Sequence, residues 1–208
     1  DYINSVGVLH HLNDPVAGLN CLKSLLKPGG IIHLFLYATE GRSEVRNVQK
    51  ALKAMGVERT LEDIKLAREL FSGLPKDNRI KRDFDRRCSL TCKSDIDFAD
   101  IYLHPNEINF DISKILQLLA LTGLEFGGFS NPNVWNLERL LHGQLLKRAQ
   151  SLQKWQQWAL VENLDIEISH FEFFLVKPPF HRYTWTKDRD ILATTAKISR
   201  CIWGWPGT

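Results

Sequence analysis

Tyr2, Ile3, Val6, Val8 and Leu9 form a short apolar segment that stops at His10, His11, Asn13 and Asp14, the pattern of a strand running into a loop. Asp14 is a good N-cap because its carboxylate can accept from exposed first-turn amides, and Pro15 suits the first helical position, where its missing N–H costs nothing. Val16, Leu19, Leu22, Leu25 and Leu26 then recur at three- and four-residue steps, which predicts one buried helix face and leaves Asn20, Lys23 and Lys27 toward water. Pro28, Gly29 and Gly30 end that helix, with a glycine free to turn left-handed after it. The nearly unbroken apolar run from Ile31 to Tyr37 reads as a parallel strand covered by helices on both faces. Strand, helix and strand make a βαβ unit with a right-handed crossover.

From residue 43 to residue 92 the chain is charged and helical in pattern. Val45, Val48 and Leu52, then Leu61, Ile64, Ala67 and Leu70, keep helical spacing and predict an inserted helical cap. Residues 76 to 87 are too polar to form core, and read as a loop or a solvated helix. Residues 111 to 121 predict an amphipathic helix with Ile112, Ile115, Leu116, Leu118 and Leu119 inward, closed by Thr122 and Gly123. Helices follow over about 137 to 150 and 152 to 161, and the aromatic run from His170 to Val176 predicts a last strand, antiparallel to its neighbours. A tail rich in Trp and Arg closes the chain.

Composition narrows the function only by exclusion. The 27 Lys and Arg stand against 24 Asp and Glu, a net charge of +3, so no clear nucleic-acid surface is declared. No apolar run approaches the roughly 18 residues that a helical membrane span needs. The chain opens on Asp1 and a core strand, with no signal-like start, which leads us to expect more of the same polypeptide upstream. Without a secretory signal, Cys21, Cys88, Cys92 and Cys201 are expected as free thiols in a reducing, cytoplasmic setting.

The segment from Asp1 to Leu12, with Asp14-Pro15 and then Leu25-Leu26-Lys27-Pro28-Gly29-Gly30, resembles the fourth strand, following helix and fifth strand of class I S-adenosylmethionine-dependent methyltransferases. The segment Asp100-Ile101-Tyr102-Leu103-His104-Pro105, and a helix ending in Leu121-Thr122-Gly123-Leu124-Glu125-Phe126, resemble the downstream half of bacterial members that insert a small helical cap after the fifth strand. The resemblance implies an α/β fold: an incomplete Rossmann-like methyltransferase sheet, strands four to seven with their helices, and an inserted cap. In those terms residues 1–42 begin this C-terminal half of the core, 43–93 form the cap, 94–177 complete the core and 178–208 make the Trp-rich tail. The family's glycine-rich cofactor loop belongs upstream of these strands, and no glycine-x-glycine pairing occurs in the 208 residues.

The same resemblance implies that Ser5, Val6, Gly7 and Val8 line the cofactor S-adenosylmethionine, since ligands of open α/β sheets bind beyond the carboxyl ends of the strands. His11 is expected to orient cofactor or substrate, or to act as a base toward an acceptor hydroxyl or amine, against the plainer reading of a structural loop histidine. Tyr37, Arg42 and His104 are the substrate-side candidates, against cap-anchoring and loop-structural roles. No metal is expected: the adjacent His10 and His11 cannot both face one ion, and Cys88 and Cys92, separated by three residues, lack a matching histidine pair.

Two functions stay open. The leading one is methyl transfer to an unidentified acceptor by the full-length protein, these 208 residues alone lacking most of the cofactor site. The alternative is a non-catalytic methyltransferase-like interaction module. A nicotinamide dehydrogenase on a similar sheet is weaker, because the turn at Lys27 to Gly30 does not call for it.

Overall fold

The structure, a computed structural model, describes residues 2–90, 92 and 94–179. The Trp-rich tail and Cys201 lie outside the described residues.

Strand β1 (Tyr2–Val6) runs parallel to β2 (Ile31–Tyr37), with Val6 opposite Phe35. Helix α1 (Pro15–Leu25) joins them, so the βαβ unit expected from the apolar pattern is present. Its start is as predicted: Asp14 accepts from the Ala17 amide at 2.9 Å, and Pro15 opens the helix. Its end differs. Leu26 is already extended, and Gly29 takes the left-handed conformation (φ +79°) inside the turn that aims the chain into β2. Lys177 closes the helix from outside, its Nζ donating to the Lys23 and Leu26 carbonyls at 3.0 and 2.6 Å.

Strand β4 (His170–Val176) inserts antiparallel between β2 and β3 (Glu125–Phe129), giving the order β1-β2-β4-β3. This confirms the antiparallel last strand. The fold is mixed α/β, a four-stranded sheet with eight α-helices among the described residues. Ile32, Leu34 and Leu36 of β2 and Phe171, Phe173 and Leu175 of β4 are fully buried against α1, α6 (Ile112–Thr122) and α8 (Lys154–Leu164). Asp111 caps α6 by accepting from the Lys114 amide at 2.7 Å, and Gly123 ends it left-handed, as its sequence predicts.

The expectation that helices cover both faces of β2 holds for one face only. Ile31, His33, Phe35 and Tyr37 are half-buried, because this second face carries polar partners: His33 lies 3.0 Å from Glu172 and 2.8 Å from Asn4. β1 ends the sheet, and among the described residues no strand pairs with its outer edge, where Tyr2 and Val6 are exposed.

A second apolar cluster gathers α2 (Ser43–Ala54), α3 (Leu61–Gly73), α4 (Arg79–Leu90) and α5 (Asp95–Tyr102). Val45, Val48, Leu52, Ile64 and Ala67 point inward as their spacing predicts, around Phe71, Phe98 and Tyr102. Of the two readings of the polar stretch before residue 87, the helix is observed: Phe84 of α4 stacks on Phe71 at 3.7 Å while Arg82, Asp85 and Arg86 face water. α5, which sequence periodicity does not single out, is held by a capping box between Ser94 and Asp97. Further on, the long helix expected over 137 to 150 is split into a short turn at Leu137–Arg139 and α7 (Gly143–Gln150), whose first residue, Gly143, takes φ +60°.

The chain enters this helical lobe through Gly41, where an added Cβ would run into the Ile168 carbonyl and the Ser169 amide. Gly41→Ala should therefore cost at least about 1–3 kcal/mol in urea unfolding. Gly73→Ala, in a position open on all sides, should leave stability unchanged or raise it by up to about 1 kcal/mol. Equal effects would show that the Gly41 passage is not tightly packed.

Candidate functional site

The carboxyl ends of β1 and β2 lie at the same end of the sheet because the strands are parallel. The segments leaving those two ends build the site. Past Val6 the chain turns at Gly7 (φ +73°), a conformation that only glycine takes freely, with no atom within 4 Å of the place a Cβ would occupy. Val6, Gly7 and Val8 are exposed there, whereas Ser5 is buried in the strand. A single turn of 3₁₀ helix, Leu9–His11, then presents two histidines on different sides.

His10 points inward and is fully buried. Its ring stacks on Tyr37 at 3.9 Å, and neither ring nitrogen has a hydrogen-bond partner, the nearby Phe35 backbone falling outside bonding geometry. Burial first, then the neighbouring His11, push its pKa down to about 3, so the ring is neutral at physiological pH. Tyr37 in turn lies under the Arg42 guanidinium, 3.5 Å from its ring centroid, and burial pushes its phenol pKa up.

Arg42 is buried and bound bidentately to Glu107, Nε to Oε1 at 3.1 Å and Nη2 to Oε2 at 2.8 Å. Gln49 and Asn109 donate to the same carboxylate at 3.2 and 2.8 Å. The fork geometry favours a planar pair, and every oxygen of the carboxylate is satisfied twice.

His11 points the other way and meets His104, ring centroids 3.7 Å apart. Nδ1 of His11 and Nδ1 of His104 both reach the Asn106 carbonyl, at 2.9 and 2.6 Å. A carbonyl only accepts, so the contact of His11 is made by a protonated Nδ1, whereas Nδ1 of His104 lies within reach of both the Asn106 carbonyl and, at 3.2 Å, the Asn106 amide, which donates. Burial, and then His11, lower the pKa of His104, which favours its neutral form. The loop carrying Asn106 is itself stitched to the sheet. Asn106 donates to the His11 carbonyl at 2.9 Å, the Ile108 amide to the His10 carbonyl at 2.8 Å, and the Phe110 amide to the Tyr37 carbonyl at 2.8 Å.

The four residues His11, Tyr37, Arg42 and His104, singled out from sequence, are thus brought together, with the exposed Val6 to Val8 turn just before His11 in the chain. Sequence reasoning misses the groups that organise them. It weighs His10 only as a metal ligand, while Asn106, Glu107 and Asn109 come from a loop without periodicity. His170, stacked on Phe35 at 4.5 Å, starts β4 and reads in sequence only as strand. Among the described residues no group of three or more His, Cys, Asp or Glu is placed to hold a metal ion.

No family model matches the chain. It is 43% identical over 211 residues to uncharacterized protein syc1184_c of a Synechococcus strain; the match covers 99% of this chain and 51% of that protein. The chain spans about half the length of the curated relative it matches. Two structures of PKMT2 from Rickettsia typhi are similar at 14% sequence identity, each over 87% of this chain. One gives a TM-score of 0.60 over 37% of that protein; the other, in complex with AdoHcy, gives 0.67 over 38%. The chain shares its fold with part of PKMT2.

The buried His10 yields a pH prediction. Its folded pKa of about 3 lies below the ordinary 6.5, so the unfolded chain binds more protons between those values. Its contribution is intact above about pH 6.5 and is lost as pH falls toward about 3. His10→Phe, which removes two unpartnered nitrogens, should unfold in urea no more easily than wild type at about pH 7.5, and should lose less stability between there and about pH 5. An identical loss in both proteins would mean that the ring is not held neutral.

Proposed function

We propose that the full-length protein transfers a methyl group from S-adenosylmethionine to an acceptor held between the sheet and the helical lobe. The observation that carries this reading is the sheet order β1-β2-β4-β3 with β4 antiparallel, in a fold similar to that of a protein whose structure holds AdoHcy, and with the polar cluster at the carboxyl ends of its parallel pair. In this reading β1 to β4 are strands four, five, six and seven of the family's sheet in chain order, and residues 43–93 are the cap. The glycine-rich loop lies upstream in the same polypeptide, whose earlier strands cover the open edge of β1.

Ser5, Val6, Gly7, Val8 and His11 hold the cofactor, and the open space at Gly7 beside exposed Val6 and Val8 suits close approach by a ligand. When bound, S-adenosylmethionine supplies a methyl group on a sulfonium that is already a good leaving group. The protein's share is then in-line positioning and exclusion of water. Tyr37 and His104 face the acceptor, and Arg42, spent on Glu107, acts as a positioning residue that fixes the Tyr37 ring. His11, with its Nδ1 proton held by the Asn106 carbonyl, offers Nε2 to take a proton from an acceptor hydroxyl or amine, and His104 lies against its ring.

Calorimetric titration of the full-length protein with S-adenosylmethionine, S-adenosylhomocysteine and NAD separates the readings. Binding of the first two at micromolar Kd, about −8 kcal/mol, without binding of NAD is expected. Failure to bind either sulfur compound would leave the fold without the function.

A further inference from the structure

Helix α2 carries two faces. Val45, Val48 and Leu52 pack into the helical lobe, while Arg46, Lys50 and Lys53 recur at four- and three-residue steps on another face. That second face forms one wall of an open cleft of about 600 Å³, flanked by Val57 to Arg59 on one side and by Tyr102 to Pro105 and Glu107 on the other. Such a volume falls within the roughly 300–1,000 Å³ of small-molecule sites.

The charge of the lining is one-sided. Arg46, Lys50, Lys53 and Arg59 stand against Glu58 and Glu107, and Glu107 is already neutralised by Arg42 beneath the cleft. Several other basic side chains of the lobe have carboxylate partners: Arg68 with Asp95, Arg79 with Glu44, Lys81 with Asp85. Arg46 differs. Its Nη2 donates to the Thr39 carbonyl at 2.8 Å, but its Nε is buried and has no acceptor. A buried guanidinium N–H without a partner is costly, and Arg46, which lines the cleft, keeps donor capacity that its Thr39 contact does not use.

We propose that this cleft binds the phosphate or carboxylate group of a small molecule, held by Arg46, Lys50, Lys53 and Arg59, with the rest of that molecule reaching His104. The anion site stands on its own geometry; taking the bound molecule to be the methyl acceptor rests on the function proposed above. The size of the cleft and the presence in its lining of His104, whose ring touches His11, favour a small acid over an extended polymer.

The test is calorimetric titration of the full-length protein, without S-adenosylmethionine, with pyrophosphate, citrate and a single-stranded oligonucleotide. Saturable binding of pyrophosphate or citrate is expected, and the tighter of the two tells phosphate from carboxylate chemistry. Arg46→Gln should weaken it at least about tenfold, the loss expected for a charged hydrogen bond. The exposed pair Lys50→Gln/Lys53→Gln, which leaves the Thr39 contact untouched, should do likewise. Lys147→Gln/Arg148→Gln on α7 removes the same charge elsewhere and should change affinity less than about twofold, a charge effect screened by salt at that range. No binding of either small anion, equal losses in the α7 control, or tighter binding of the oligonucleotide would overturn the proposal. Because no cofactor is present, anion binding by a protein that never binds S-adenosylmethionine would refute the methyl-transfer reading alone.

Discussion

The buried ion pair between Arg42 and Glu107 is the constraint on which the site depends. Arg42 comes from the turn leaving β2, and Glu107 from the loop that returns from the helical lobe, so the pair ties the two halves of the molecule at the carboxyl end of the sheet. Removing two charges from water is expensive, and the pair is tolerable only because Gln49 and Asn109 complete the carboxylate's hydrogen bonds. The same guanidinium lies over Tyr37, and the Tyr37 ring packs at a tilt against His10. One ion pair thereby fixes the ring order from the lobe down to the first strand.

Around that line the chemistry divides by burial. His10, shut away from water and from any partner, stays neutral and packs as a ring. His11 and His104 both meet the Asn106 backbone through Nδ1, which leaves the Nε2 of each ring without a partner in that loop. The helical lobe adds a charged wall next to His104, with Arg46 contributing to both the lobe's anchorage at Thr39 and the cleft. The lobe's attachment to the sheet and the polar lining of the cleft are parts of one network.

Local rules make the first forty residues legible. A capping aspartate followed by proline, a three-and-four apolar repeat and a run of seven largely apolar residues each carry their own physical signature, and all three elements appear where expected. The last strand is readable for the same reason: seven residues, five of them apolar, are too short for a buried helix. Tyr37 and Arg42 stand out in sequence because they close and follow a strand, and His104 because it sits beside Pro105 at the return to the sheet. Asn106, Glu107 and Asn109 do not, since a loop has no period and its polar side chains gain meaning only when a distant arginine or histidine is brought to them. The uncovered face of β2 is equally hidden, because His33 and Glu172 are apart in sequence and meet only through strand pairing.

The most direct test of the account is a double-mutant cycle on the full-length protein, using Arg42→Met, Glu107→Leu and the two together in urea unfolding. If the pair is the shared tie between sheet and lobe, each single change strands a buried charge, the double change removes both, and the coupling should be about 1–3 kcal/mol. Additive effects within about 0.5 kcal/mol would show that Arg42 and Glu107 are held independently, and would contradict it.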